Sequence, residues 1–259
     1  MTPLPMQNWI GLWSLYMREV RRFMKVYTQT LLAPMVTTLL FLSVFALALG
    51  GADRQVAGIP FVEFLAPGLV MMAIAQNAFA NTSSSVVIAK VQGNIVDTLM
   101  PPFTPNELTL GIALGGTTRG LVVGLVVGVV MSFFVKMTVH SVVFVVFHAF
   151  AASLMLALLG LIGGIWSEKF DHIAAVTNFV ITPLSFLSGT FYSIERLPEA
   201  GQLLAHVNPF FYMIDGFRYG FIGRADADPM IGVAVLCGVN VALWLLCHRM
   251  IASGYKLKA

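Results

Sequence analysis

The residue types that do chemistry are few in this chain and badly spaced for it. His140, His148, His172, His206 and His248 are scattered, and none belongs to an HExxH pair that would hold zinc. A GxxxxGK[ST] loop cradling phosphates is excluded outright, because no lysine follows a glycine. Ser83, Ser84, Ser85 and Ser153 carry hydroxyls that could act as nucleophiles, but no base is spaced to activate them. Cys237 and Cys247 form no CxxC, so neither a metal nor a disulfide is indicated. Asp215 and Arg218 are spaced to face each other on a helix, in a segment crowded with rings. Any ATP-driven work by such a chain must be powered by a separate subunit.

The elements that position these residues belong to a bilayer. Apolar residues make up 58% of 259 positions and charged residues 10%, against roughly 25% charged in a soluble domain. No charge occurs from 28 to 52. A hydrocarbon core about 30 Å thick takes roughly 20 helical residues to cross, with every backbone bond closed inside the segment. Six spans are expected, over 31–49, 64–86, 121–135, 142–165, 172–191 and 231–247, the third starting before Arg119, near Leu110. No small-residue cleavage site follows the basic residues before the first span, so it reads as a retained helix. Lys and Arg collect on the side of the chain ends, which places both termini in the cytoplasm. The fold class expected is an all-α integral membrane protein.

Around the spans, four features carry function. Residues 6–28 read as an amphipathic interface helix: Trp9, Leu12, Trp13, Tyr16, Val20, Phe23 and Tyr27 recur at helical spacing, leaving Arg18, Arg21, Arg22 and Lys25 toward lipid phosphates. It serves either as an anchor or as a lever moved by a cytoplasmic partner. Residues 90–107 read as a cytoplasmic segment with a short helix stopped by Pro101-Pro102; its apolar edge either docks into another protein or packs on the chain's own spans. Gly116, Gly120, Gly124 and Gly128 recur every fourth residue, a bare strip for close helix approach within the molecule or between subunits. Arg119, read near the inner end of its span, is expected to snorkel to phosphates. Residues 192–228 read as outer re-entrant helices broken at Pro209, closing a path or fixing depth with an aromatic belt.

These motifs converge on one group. The run from Pro183 through Ser-Gly-Thr-Phe-Tyr192 to Pro198, followed by Asn208-Pro-Phe-Phe-Tyr-Met-Ile-Asp-Gly-Phe-Arg218, resembles the permease subunits of ABC-2 type transporters, as do Phe64-Leu-Ala-Pro-Gly68 and 93–99 with the prolines after it. The resemblance covers nearly all of 1–259. Ser193 stands where the family often has proline, and Phe210-Phe211 where Leu-Thr is common. By this resemblance the chain is a bacterial inner-membrane exporter permease. It implies a second permease subunit, a homodimer ahead of a heterodimer, and a cytoplasmic ABC ATPase that alone carries ATP and Mg. Membrane lipids are further partners; nucleic acid is not implied. Gly93, Asn94, Ile95, Asp97 and Leu99 would couple the ATPase to the spans. Gly189, Phe191, Tyr192, Pro198, Asn208, Pro209, Asp215 and Arg218 would form the outer gate. Family substrates include drugs, lipids and saccharides. The competing readings are an ion-gradient carrier, which calls for acidic pairs in midspan, and an assembly protein that transports nothing.

Overall fold

The computed structural model describes residues 8–49, 55–56, 58–194 and 197–257. Helix α1 (Trp9–Met24) precedes α2 (Tyr27–Leu49), and a two-residue strand pair, β1 (Gln55–Val56) with β2 (Ile59–Pro60), leads into α3 (Phe61–Val91). Then come α4 (Ile95–Leu99), α5 (Pro105–Ser132), α6 (Val142–Trp166), α7 (Phe170–Val176), a π-helical turn at Thr177–Ile181 and α8 (Thr182–Leu187). Helices α9 (Glu199–Val207), α10 (Pro209–Ile222) and α11 (Pro229–Ser253) complete the chain. Six helical runs are long and apolar enough to cross a bilayer: α2, α3, α5, α6, the continuous run Phe170–Leu187, and α11.

The sequence explains most of these limits. Thr104 and Glu107 form a reciprocal capping box, Thr104 Oγ1 accepting from the Glu107 amide while Glu107 accepts from the Thr104 amide, so α5 starts at Pro105 rather than near Leu110. The π turn precedes Pro183, which lacks an amide and crowds the turn before it; widening lets Thr182 donate to Thr177 O, five residues back. The expected interface helix over 6–28 is shorter, with residues 6 and 7 outside the described residues. It stops at Met24 because the chain must turn a corner there into the first crossing, and Thr30 Oγ1 bonds Phe23 O across that corner at 3.3 Å. Tyr27 belongs to the crossing helix.

Helix α3 is the hub. It is buried along nearly its whole length and packs on α5, α6 and α10, whereas α2, the α7–α8 run and α11 leave most of their surface open. Close approach comes from residues with little or no side chain. A Cβ on Gly160 of α6 would lie 2.5 Å from the Phe79 carbonyl oxygen of α3. One end of the bundle, the α4 end, gathers α1, α4, the α6–α7 turn and the last turn of α11. There Lys90 Nζ donates to Ile165 O at 2.7 Å and Ser167 O at 2.6 Å, meeting carbonyls that α6 leaves open as it stops. Lys256 lies 2.9 Å from Glu168 and holds its carboxyl below the usual range. The opposite end, the α10 end, gathers the strand pair, α9 and α10.

Adding one methyl at Gly160 therefore forces α3 and α6 apart. Gly160→Ala is expected to cost about 1–3 kcal/mol, read as a lowered thermal midpoint of the purified protein. Gly238→Ala, where no atom lies within 4 Å of the new Cβ, should leave the midpoint unchanged; equal shifts for the two would contradict the packing.

Candidate functional site

At the α4 end, a charged side chain docks the first helix. Leu15, Glu19 and Phe23 form the buried face of α1, with Glu19 wholly buried against Gly115 of α5. Its carboxylate accepts from Arg18 at 3.1 Å, Arg22 at 3.2 Å and the Ser85 hydroxyl of α3 at 2.9 Å. Arg22 then reaches Ser84 Oγ at 3.2 Å, Asn81 O at 2.6 Å and Asn81 Oδ1 at 3.0 Å. Arg18 donates to Thr98 Oγ1 of α4 at 2.8 Å. The Asn8 amide donates to Glu107 at 2.8 Å. Helices α1, α3 and α4 are thus tied by one polar network, and a separate bond ties the start of α1 to α5.

The expected coupling residues lie at this end. Gly93 turns the chain out of α3 with φ of 76°, a conformation that glycine adopts freely. Ile95 and Thr98 face inward; Gly93, Asn94, Val96 and Asp97 are exposed, with Leu99 between. Trp9 and Trp13 point away from the bundle, rings free for a lipid interface while the opposite side of the helix binds the protein.

At the α10 end, Asp215 and Arg218 are both buried but only loosely paired, 4.0 Å apart. Each has other work. Asp215 accepts from the amides of Asp226 at 2.9 Å and Ala227 at 3.0 Å, pinning the loop before α11. Burial pushes its carboxyl above the ordinary value, opposed by Arg218 and those amides. Arg218 donates to Gly189 O at 2.6 Å and Phe64 O at 3.3 Å and lies 3.8 Å over the Phe64 ring. Gly189, at φ 73°, turns its carbonyl toward that guanidinium. Asn208 caps α10 through the Phe210 amide and donates to Ser188 Oγ, with Pro209 opening the helix. Phe191 stacks on Phe45 at 4.5 Å and Phe186 at 5.3 Å; Tyr192 is half-buried and Pro198, which opens α9, is exposed. Glu195 and Arg196 lie outside the described residues.

Between the ends, Gly116, Gly120 and Gly124 face α3, where an added Cβ would meet Thr82, Ala78 and Ile74, while a Cβ on Gly128 would lie 4.0 Å from Val70. Arg119 departs from expectation. Because α5 begins at Pro105, this residue sits about halfway along the helix, and its guanidinium turns sideways to Asn77 Oδ1 at 3.1 Å instead of running to the membrane surface. Arg119 was singled out by the sequence but at the wrong depth, whereas Glu19 was not singled out. Glu19 lies four residues from both Leu15 and Phe23, so a carboxylate interrupting an apolar stripe was the available signal.

Removing the Glu19 carboxylate takes the counter-charge from two guanidiniums. Glu19→Ala is expected to destabilise the docking of α1 by about 1–3 kcal/mol, since both arginines keep some solvent. Thermal unfolding and protease sensitivity at the α1–α2 corner measure it; a loss no larger than that of exposed Arg21→Ala would contradict the network.

Comparison with known proteins gives the same outline. The family model of the ABC-2 type transporter matches residues 11–222. The chain is 39% identical over 251 residues, 97% of its length and 98% of the relative's, to "Inner membrane transport permease YadH" of Escherichia coli (strain K12). It is 23% identical to "Nodulation protein J" of Rhizobium leguminosarum bv. viciae, covering 94% of this chain and 93% of the relative. The chain belongs to the ABC-2 type transporter family as a multi-spanning permease subunit, a class that carries no nucleotide-binding domain of its own and works with a separate ATPase.

Proposed function

We propose that this permease exports an amphiphilic drug, lipid or saccharide across a bacterial inner membrane, with the α4 end in the cytoplasm. The α4 end carries Arg18, Arg21, Arg22, Lys25, Lys90, Lys169, Arg249 and Lys256, the excess expected of a cytoplasmic face. Both chain ends then lie inside. The inner-membrane location rests on the printed name of the Escherichia coli relative.

The observation that carries the coupling reading is the contact of α4 with α1. The exposed edge of α4, from Asn94 to Asp97, offers the ATPase a docking surface, while its inner edge already holds Arg18 through Thr98. ATP binding on the partner draws two ATPases together and moves α4; α1 is moved with it through the Glu19 network, and the gap between two permeases changes. The pair is a homodimer in this reading. Gly189, Phe191, Tyr192, Asn208 and Arg218 close the outward end. Among the described residues of the six crossing helices, the acidic ones, Glu63, Glu107 and Asp171, lie in the first turn of their helices, so the midspan acidic pair that an ion-gradient carrier uses is missing there.

Cysteines placed on α4 test this arrangement in the complex with its ATPase. Asn94→Cys and Asp97→Cys should crosslink to the ATPase, and Thr98→Cys, which faces the bundle, should not. An uncoupled pattern, or labelling of Asn94→Cys only by reagent outside intact cells, would overturn both the docking face and the orientation.

A further inference from the structure

Arg119 is a charge in the middle of a crossing helix with too few partners. Of its five N–H donors one is seen bonded, to Asn77 Oδ1 at 3.1 Å, and Nε is buried without an acceptor. Among the described residues it forms no ion pair with a carboxylate. A guanidinium held in this way at bilayer depth is costly unless a counter-charge arrives.

The surroundings are built to receive one. Arg119 lies in the wall of a groove of about 640 Å³ between α2, α3 and α5, within the range of small-molecule sites. Gln29, Thr37, Thr38, Gln76 and Asn77 line it with amides and hydroxyls, and Phe41 and Met72 add apolar wall. The groove extends past Ser84 toward the α4 end, where Ser84 Oγ accepts from Arg22. Arg22 thus lies behind that hydroxyl, its charge already met by Glu19, which leaves Arg119 as the cation in the groove wall. Helix α2, which forms the outer wall, is almost entirely open on its other side, so an acyl chain leaving the groove meets lipid at once.

We propose that this groove binds an amphiphile by its anionic group, a phosphate or carboxylate gripped by the free edge of Arg119 with its tail toward α2. The planar guanidinium fork suits a two-oxygen anion, and the hydroxyls and amides complete its shell. This deepens the exporter reading by naming the substrate class, and it rests on that reading only for the step after binding.

Binding is measured on the full chain in dodecyl maltoside, without ATPase or nucleotide, using fluorescently tailed dodecyl phosphate. The wild type should bind it, and unlabelled dodecyl phosphate should compete while inorganic phosphate and dodecyl phosphocholine do not. Arg119→Gln should weaken binding about tenfold or more and Arg119→Lys by less. Gln76→Glu, on the exposed rim, should also weaken it while leaving Arg119 in place, which guards against a folding defect at Arg119. Competition by phosphatidylglycerol assigns the site to a membrane lipid, and failure to compete assigns it to a smaller solute. Equal affinity in wild type, Arg119→Gln and Gln76→Glu, or equal competition by dodecyl phosphocholine, overturns the proposal. Because no ATPase is present, that result leaves the α4 docking reading untouched, and a failed crosslink leaves this one standing.

Discussion

Lipid offers no hydrogen bond, so the polar groups that the central helices carry into the bundle have to be met inside the protein, several of them by the backbone of a neighbouring helix. That constraint sets the distance between α3, α5 and α6. Thr82 Oγ1 donates to Ala157 O at 2.7 Å, Ser153 Oγ to Thr117 O at 3.0 Å, and Asn240 Nδ2 of α11 to Ala151 O at 3.0 Å. Short hydroxyls reach a neighbour's carbonyl only if the two backbones nearly touch. Gly160 faces Thr82 and Gly120 faces Ser153, so the bare positions and the hydroxyls act as a single device. Each such bond yields about 1 kcal/mol net, whereas leaving its donor unpaired in hydrocarbon costs several.

A helix fixed this way along its length transmits what happens at its ends. Near one end of α3, Ser85 bonds Glu19 of α1 and Lys90 closes the carbonyls of α6. Near the other, the Phe64 carbonyl and ring hold Arg218, and Gly68 meets the Thr190 backbone. Gly160 and Gly164 of α6 hold α3 over residues 79–86, while the groove beside Asn77 opens on its α2 side. In the proposed mechanism, displacement of α1 and α4 would be carried to α10 through these contacts along α3, the physical continuity that coupling between distant sites requires.

The sequence made the crossing helices and their stops readable because they depend on local features: charge-free runs, Pro101-Pro102 and Pro209. It also contained the signal for the start of α5, Thr104-x-x-Glu107, but hydropathy alone put that start several residues late and so put Arg119 at the wrong depth. The partners of Arg218 were not legible, since Gly189 and Phe64 lie 29 and 154 residues away. Helical spacing correctly paired it with Asp215, yet burial makes both groups seek shorter bonds than the 4.0 Å that the pair allows. Spacing on α1 likewise picked out Trp9 and Trp13, large rings that dominate any apolar count, while the face that docks is centred on a carboxylate.

Three arginines show how one side chain serves opposite ends. Arg218 is enclosed, with two carbonyls, a ring face and a carboxylate sharing its charge, and it braces the α10 end. Arg22 has a carboxylate, a hydroxyl and both oxygens of Asn81, so it braces α1. Arg119 has one amide oxygen and an open groove. A brace gains from having every donor filled within the chain, since each filled donor removes a desolvation cost. A receptor must keep donors free, so its cost in the empty state is the source of its affinity for what fills it. The difference in partner count separates the two roles on helices that hydropathy alone would treat alike.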